Sequence, residues 1–274
     1  MKYVIRSAAA ALVCGMLTTV LHAAAATADP ALVKSVKDSA RTPELVARDP
    51  ARHPVEELTF FGLTPKMTVV EIWPGTGYWT EILAPYLKAS GHYYAAQTVS
   101  GEEKGEDSIT DGWTSRVAAQ KGRYGTVTVT RLGKGHYEVA PAGSADLILT
   151  FRNFHNWVGS GDLDEVLKGF YTALKPGGIL GIEDHRARND QPQDPKARSG
   201  YVRQDYTIDA VRKAGFEFVG SSEIDANPKD TKDWPRGVWT LPPTLLMGDK
   251  DRAKYLAIGE ADNFVLKFRK PLTP

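Results

Sequence analysis

Residues 68–87, TVVEIWPGTGYWTEILAPYL, constrain the fold of this chain more than any other segment. An apolar run typical of a β-strand leads through a Gly-x-Gly turn directly into an amphipathic helix. Gly75 and Gly77 lack a Cβ, so a ligand can approach the backbone there, and the helix start offers unpaired N–H groups and a positive dipole end. Glu71 closes the strand and can accept hydrogen bonds from ligand hydroxyls or from a cationic group. The segment predicts a nucleotide-cofactor loop.

Composition favours a globular chain whose partner is a small molecule. Its 274 residues are 42% hydrophobic and 24% charged, which fits one ordinary domain with a full core. The 34 basic and 33 acidic residues give a formal net charge of +1. Because no strong field results, we expect no nucleic-acid partner and no attraction to an anionic membrane.

The N-terminus has the three parts of a secretory signal peptide. Lys2 and Arg6 precede an apolar run at 8–21, and small residues follow in HAAAATADP. We predict a signal peptide at 1–26, and a periplasmic or secreted mature protein. The apolar run is short for a membrane span, which needs about 20 residues, so no stable membrane insertion is expected after cleavage. Cys14, the one cysteine of the sequence, lies inside this segment, so the mature chain has no thiol chemistry.

Behind the signal peptide, the sequence predicts a helical cover at 27–66 and then a domain at 67–274. From residue 68 onward, β-branched or aromatic runs alternate with helical periodicity, which is typical of a parallel sheet with helices on both faces. The predicted strands are 68–73, 92–97, 126–131, 145–151 and 179–184.

The later elements complete the predicted sheet. An amphipathic helix begins after Asp162, which with Glu165 forms a capping-box pattern, and it runs to Lys175. A helix at 207–214, a strand FEFVG and a final strand NFVLKFRKP follow, and the final strand is expected to pair antiparallel. Between these strands, the proline-containing stretch 225–262 is expected to form a lid loop.

The order of elements and three motifs together resemble class I S-adenosylmethionine-dependent methyltransferases. The motifs are VVEIWPGTG, ALKPGGILGIEDH, and the pair AGFEFVGSSE and NFVLKFRKP. The resemblance implies an α/β, Rossmann-like fold: a seven-stranded, mostly parallel sheet of order 3-2-1-4-5-7-6 whose last strand is antiparallel. Residues 48–87 are similar, more narrowly, to a little-characterised group of exported predicted methyltransferases.

The resemblance also implies S-adenosylmethionine as cofactor and assigns residues to it. Glu71 takes the position of the acid that steers the methionine ammonium, and Gly75 and Gly77 let the loop pass beneath the cofactor. Gln97 ends the second strand, where the family usually carries an acid for the ribose hydroxyls. The remaining candidates are Pro74, Tyr78 and Asn153.

Two positions depart from the family pattern, and other interpretations of the loop stay open. Trp73 and Pro74 stand where a glycine and a small residue are common, so they narrow the loop. A Gly-x-Gly turn is also compatible with a plain strand-to-helix connection. A nicotinamide site is disfavoured, because Thr80 replaces the third glycine of the dinucleotide fingerprint.

Two polar clusters end the fourth and fifth strands. In FRNFHNW, His155 is a candidate general base, with Arg152 and Asn153 positioning cofactor or substrate. In EDHR, Asp184 and His185 are expected in the same cleft, and His185 is a further catalytic candidate. The alternative is that both histidines only organise loops. With His155 they offer ligands for a divalent ion, but without a spacing such as H-E-x-x-H no metal site is predicted.

The sequence thus predicts a methyltransferase acting on an unidentified small-molecule acceptor. Arg52 and His53 are candidates for covering the cofactor, and Trp234, Trp239 and Tyr255 for lining a substrate pocket. The alternative is an exported ligand-binding protein or pseudoenzyme on the same scaffold. The sequence identifies neither the acceptor nor the oligomeric state.

Overall fold

A seven-stranded mixed sheet forms the centre of the molecule. The computed structural model describes residues 27–99 and 106–273, so the predicted signal peptide lies outside the described residues. The sheet has the order β3-β2-β1-β4-β5-β8-β6, in which the first five strands are parallel and β8 is antiparallel to both neighbours. The predicted order is confirmed, with β8 as its last strand. The strands are β1 Thr68–Ile72, β2 His92–Thr98, β3 Val127–Leu132, β4 Ala145–Phe151, β5 Leu174–His185, β6 Glu217–Ser222, β7 Pro235–Val238, outside this sheet, and β8 Asn263–Arg269.

Helices cover the two faces of the sheet, and four short ones precede it. In the described part of the chain, no helix combines the length and the apolar character needed to cross a bilayer. The helices are α1 Pro30–Val36, α2 Pro43–Val46, α3 Asp49–Arg52, α4 Pro54–Phe61, α5 Thr80–Leu87, α6 Glu106–Ala119, α7 Lys121–Tyr124, α8 Phe154–Ser160, α9 Leu163–Ala173, α10 Gln204–Lys213 and α11 Arg252–Ile258.

Strand β1 shows why the site residues face as they do. Successive side chains of a strand point to opposite faces of the sheet. Val70 and Ile72 accordingly pack into the apolar cluster that contains α8 and α9, whereas Val69 packs into the cluster formed by α1, α4 and α5. Glu71 shares the face of Val69, and its side chain therefore enters the α5 side of the core.

The longest predicted helix differs from its prediction at both ends. Asp162 occupies the N-cap position of α9, but its carboxylate caps no backbone N–H. The hydroxyls of Ser160 and Tyr137 donate to that carboxylate instead, so the predicted capping box is wrong. At the other end, Leu174 pairs with Ala145 across a bulge, and β5 therefore begins where the helix was expected to continue.

The stretch 225–262 is folded, and the expectation of a loop is wrong. It contains β7 and α11, and a small separate core forms beneath them. Asp230 organises this region, because its carboxylate accepts hydrogen bonds from Tyr201 at 3.0 Å and from the Trp234 indole at 2.7 Å. The apolar residues of this core are Tyr201, Val238, Leu241, Tyr255 and Ala261.

Candidate functional site

Three adjoining cavities lie at the carboxyl edge of the parallel strands, where open α/β sheets bind ligands. The histidine cavity, of about 260 Å³, is lined by His155, His185, Arg48, Arg52, Arg152, Glu260, Trp239 and others. The glycine-loop cavity, of about 190 Å³, lies between the segment 71–76 and the same three arginines. The aromatic cleft, of about 940 Å³, is lined by Trp73, Tyr137, Trp157, Trp239 and His155 among others.

His155 is held by a buried carboxylate from the neighbouring strand. Asp184, at the end of β5, accepts a hydrogen bond from the His155 backbone N–H at 2.7 Å, and its Oδ1 lies 2.9 Å from His155 Nδ1. Burial alone would raise the pKa of Asp184, but its contacts with the two histidines lower that pKa instead. The ionised carboxylate therefore fixes the tautomer with hydrogen on Nδ1, and Nε2 is left as an acceptor.

His185 has a similar arrangement with a neutral partner. Its Nδ1 lies 2.7 Å from Oδ1 of Asn263, whose amide nitrogen donates to Glu183 at 2.6 Å. Burial lowers the pKa of His185 to about 3, against the opposing effect of Asp184, so this imidazole is neutral at physiological pH. The rings of His155 and His185 lie 5.4 Å apart between centroids.

The three residues also approach the geometry of a cation site. One ligand atom from each of His155, Asp184 and His185 lies within 4.8 Å of the others. However, the Asp184 carboxylate already accepts from the backbone N–H groups of both histidines and from the His155 ring. We therefore interpret the group as a hydrogen-bonded base and its orienting acid.

Three arginines share one carboxylate on the wall between the histidine and glycine-loop cavities. Arg48 binds Glu260 with two hydrogen bonds of 2.6 and 2.8 Å, and Arg152 reaches the same side chain at 3.2 Å. Arg52 stacks on Tyr78, with 4.3 Å between its guanidinium carbon and the ring centroid. Burial, and then the like charge of Arg152, lower the pKa of Arg52 to about 9.

Glu71, at the start of the glycine loop, has a structural role that the sequence does not indicate. Glu71 lines the cavity, but its Oε2 accepts a hydrogen bond from Thr80 at 2.9 Å and another from the Tyr93 hydroxyl. Burial raises the pKa of Glu71 to about 7, although both hydroxyls act in the opposite direction. Glu71 therefore ties β1 to β2 and α5 as well as facing the cavity.

The side chain of Trp73 extends along the carboxyl edge of the sheet, from the end of β1 to the end of β3. Its backbone adopts the left-handed region, with φ of +46°, which is strained for a residue with a Cβ. Its indole Nε1 donates to the carbonyl of Leu132 at the end of β3 at 3.0 Å, and its ring meets Trp157 edge-on at 5.6 Å. Since β2 lies between β1 and β3, the indole covers the carboxyl end of β2. Trp73 thus separates the glycine-loop cavity from the aromatic cleft.

The structure brings most of the predicted site residues together. Pro74, Gly75 and Tyr78 line the glycine-loop cavity, Arg152 and His185 line the histidine cavity, and His155 lines both that cavity and the aromatic cleft. Gly75 has φ of +54°, so the turn itself favours glycine there. Arg52 also reaches the cavities, as expected of a cover over the crevice.

Three predicted cofactor residues do not line these cavities, within the segments 27–99 and 106–273. Gly77 provides room for a neighbouring side chain, because a Cβ there would lie 3.1 Å from the Trp113 ring. Gln97 is 4% exposed, so its side chain is buried at the end of β2. Asn153 donates to the carbonyl of Ile72 at 3.2 Å, which joins the ends of β4 and β1. For these three, the structure favours support of the crevice over direct contact with a ligand.

Several site residues escape prediction from the sequence. Arg48, Glu260 and Asn263 stand far from one another along the chain, and the only signal is their charge or polarity beside a predicted strand or proline turn. Among the predicted lid aromatics, Trp239 lines two of the cavities. Trp234 and Tyr255 instead pack against each other, at 5.9 Å between centroids. His53 binds Asp225, with 2.8 Å between Nδ1 and Oδ1.

Comparison with known proteins gives structural but no sequence matches. No family model matches the chain, and no curated protein matches it. A SAM-dependent methyltransferase from Aquifex aeolicus is similar in structure, with a TM-score of 0.55, 17% sequence identity, and coverage of 88% of this chain and 98% of that one. The [4+2]-cyclase SpnF is similar with a TM-score of 0.54 and 14% identity, over 88% of this chain and 92% of the cyclase.

A third similar structure is a phosphoethanolamine N-methyltransferase 2 from Haemonchus contortus. Its complex with phosphomonomethylethanolamine and S-adenosylhomocysteine matches with a TM-score of 0.56 and 16% identity, covering 83% of this chain and 57% of that one. At these identities the similarity establishes the fold. The chain has the Rossmann-like fold of class I S-adenosylmethionine-dependent methyltransferases, as the sequence motifs imply.

Proposed function

We propose that this protein transfers a methyl group from S-adenosylmethionine to a small-molecule acceptor. One observation carries the proposal: the glycine-loop cavity and the histidine cavity share a wall formed by Arg48, Arg52 and Arg152. Because the same residues line both cavities, a donor held at the glycine loop and an acceptor held beside His155 would lie next to each other.

The residues at the crevice fit the proposed cofactor. Gly75 and Pro74 offer a loop surface without bulky side chains. Glu71 lines the same cavity and is the candidate partner for an ammonium group. The aromatic cleft, with Trp157 and Tyr137, offers ring surfaces for a purine.

When bound, S-adenosylmethionine supplies an electrophilic methyl group, whose bonding electrons remain with the sulfur as a thioether forms. The protein contributes alignment, exclusion of water and acceptance of one proton. His155 Nε2 would take the proton from the acceptor's O–H or N–H group while the acceptor lone pair forms the new bond to carbon. Asp184 stabilises the resulting imidazolium, and Arg152 and His185 would position the acceptor. This assignment explains the Nδ1 tautomer that Asp184 holds.

Trp73 favours a second candidate function, that of a ligand-binding protein without methyltransferase activity. Its indole lies over the end of β2, where the resemblance places the cofactor ribose, and Gln97 at that strand end is buried. The fold is also found in a [4+2]-cyclase, so architecture by itself does not determine the chemistry. Under this candidate, small molecules would bind in the cleft, but no methyl group would be transferred.

Calorimetric titration separates the two candidates. We expect S-adenosylmethionine and S-adenosylhomocysteine to bind with micromolar dissociation constants, whereas NAD serves as a nucleotide control and should not bind. Lack of binding of either adenosyl ligand at millimolar concentration contradicts the methyltransferase proposal. The predicted export, with residues 1–26 removed, remains a proposal that mass determination of the secreted form would test.

A further inference from the structure

The histidine cavity is unbalanced in charge. Among the described residues that line it, three arginines face the single carboxylate of Glu260, and burial lowers the pKa of His185 so that this imidazole adds no charge. Behind the wall, the carboxyl groups of Glu183, Glu57 and Asp225 also act on Arg152, but burial raises the pKa of each of them and so weakens the compensation they give. The cavity therefore presents excess positive charge to a ligand.

Of the three arginines on this wall, Arg52 has the longest hydrogen bond to Glu260. Its side chain is 4% exposed, and within the described chain its hydrogen bonding is limited to one long contact, from Nε to Glu260 Oε2 at 3.5 Å. Two like charges, Arg48 and Arg152, flank it. A buried guanidinium with vacant donors is a strong site for a carboxylate or phosphate, since its planar fork can bind two oxygens at once.

Arg152 is held at the same wall by its backbone. It directly follows β4 with φ of +61°, and its N–H donates to the carbonyl of Glu183 at 2.7 Å. Such strain in a residue that is not glycine persists where surrounding structure enforces it, and it is common at ligand sites. The backbone of Arg152 is therefore fixed beside the histidine cavity, three residues before His155.

We propose that the methyl acceptor is a small organic anion, whose carboxylate or phosphate is bound by Arg52 and Arg152 while its nucleophilic group faces His155. The inference rests on the proposed function, because it takes the glycine-loop cavity to be the cofactor's. The volume of about 260 Å³ admits a molecule the size of a benzoate. The same cavity is also lined by Val238, Trp239, Pro242 and Pro243, whose apolar side chains suit the body of such a molecule.

The cofactor's own carboxylate is the competing source of negative charge, since the same arginines line the glycine-loop cavity. A test therefore begins with protein saturated with S-adenosylhomocysteine, in which that carboxylate is already in place. Sodium benzoate, its neutral analogue benzamide, and sodium phosphate are then titrated by calorimetry. We expect benzoate and phosphate to bind with millimolar or lower dissociation constants, and benzamide at least tenfold more weakly than benzoate.

Variants identify the residues that bind the anion. Arg52→Gln and Arg152→Gln should each weaken benzoate binding at least tenfold, whereas Glu260→Gln should tighten it several-fold by removing the competing carboxylate. Arg123→Gln is the matched control, because Arg123, like Arg52, pairs with a carboxylate and stacks on a tyrosine but lies outside this wall. Arg152→Lys, with melting curves for every variant, guards against loss of binding through unfolding.

Three outcomes overturn the inference: benzoate and benzamide bind equally, the arginine variants leave benzoate binding unchanged, or benzoate binds only in the absence of S-adenosylhomocysteine. If Arg52 instead binds the carboxylate of the cofactor, Arg52→Gln should weaken the binding of S-adenosylhomocysteine and leave benzoate binding unaffected. Binding of 5′-methylthioadenosine, which lacks that carboxylate, should then also be unchanged. Failure of both adenosyl ligands to bind contradicts the proposed function instead, and benzoate titration of the ligand-free variants then tests the arginines alone.

Discussion

The glycine loop after β1 and the histidine cluster after β4 and β5 lie on the same edge of the sheet, yet they differ in how their polar groups are partnered. At the glycine loop, the carboxylate of Glu71 is bound by Thr80 and Tyr93 inside the core. At the histidine cluster, Asp184 is fully buried, but the imidazole it orients lines a cavity. The recognisable motif therefore supports the fold, while the less recognisable loops carry the candidate chemistry.

The largest predicted effect concerns the histidine cluster. Replacing His155 by alanine should lower kcat by at least about 100-fold, because no general base then takes the proton from the methyl-accepting substrate. The dissociation constant of S-adenosylhomocysteine should change by no more than about threefold, since His155 does not line the glycine-loop cavity. Release of S-adenosylhomocysteine in the presence of a carboxylate-bearing acceptor measures turnover.

His92→Ala is the control for that experiment, because His92 is an exposed residue at the start of β2. A purely structural His155 would give the opposite pattern, in which the melting temperature falls and kcat per folded molecule is unchanged.

A second prediction tests the structural role of Glu71 at the glycine loop. Glu71→Ala should lower the free energy of unfolding by about 1–3 kcal/mol, because it leaves the buried hydroxyls of Tyr93 and Thr80 without their acceptor. Glu71→Gln retains an oxygen acceptor and should cost less. Denaturant titration of both variants measures the difference. Loss of S-adenosylhomocysteine binding in Glu71→Ala without any loss of stability would show that the carboxylate serves the ligand alone.

The raised pKa of Glu71 gives the comparison a pH dependence. Its folded pKa is about 7, above the ordinary value of 4.5. Between these values the folded state keeps a proton that the unfolded state has released, so stability falls as pH rises from about 4.5 to about 7. Glu71→Gln should reduce this slope by at most about 1.4 kcal/mol per pH unit, the limit for one proton. Equal slopes in the two proteins, measured by denaturant titration at each pH, would contradict the burial of an ionisable Glu71.

The smallest predicted effect concerns the indole of Trp73, which lies between the glycine-loop cavity and the aromatic cleft. If the cofactor must span the glycine-loop cavity and the aromatic cleft, the hydrogen bond from Trp73 to Leu132 has to break on binding. Trp73→Phe removes that bond, worth about 1 kcal/mol, and should tighten S-adenosylhomocysteine about fivefold by calorimetry. Trp234→Phe is the control, since it removes an indole donor to Asp230 away from the crevice. Weaker binding in Trp73→Phe would instead show that the indole contacts the ligand.

The sequence predicts the sheet well because periodicity is a local property. The five parallel strands and the antiparallel last strand follow from runs of apolar residues and from glycine and proline turns, and most boundaries agree within one or two residues. The start of β5 at Leu174 does not follow from such a pattern, because it depends on pairing with Ala145 across a bulge. The capping of α9 fails for the same reason, since Ser160 and Tyr137 compete for the Asp162 carboxylate.

The site is only partly predictable because its groups come from distant segments. His155, Arg152 and His185 follow from their positions at strand ends. Their partners do not: Asn263 and Glu260 lie about 80 and 110 residues from the groups they bind, and no short spacing indicates them. Gln97 shows the converse, because a residue at the expected strand end is buried and lines none of the three cavities.

The most direct test of the central claim is a crystal structure of the protein with S-adenosylhomocysteine. We predict the amino-acid part beside Gly75 and Glu71, the adenosine in the aromatic cleft with the indole of Trp73 displaced, and the sulfur directed toward the cavity of His155. Ligand bound elsewhere on the molecule, or a crevice that remains empty at saturating concentration, would contradict it.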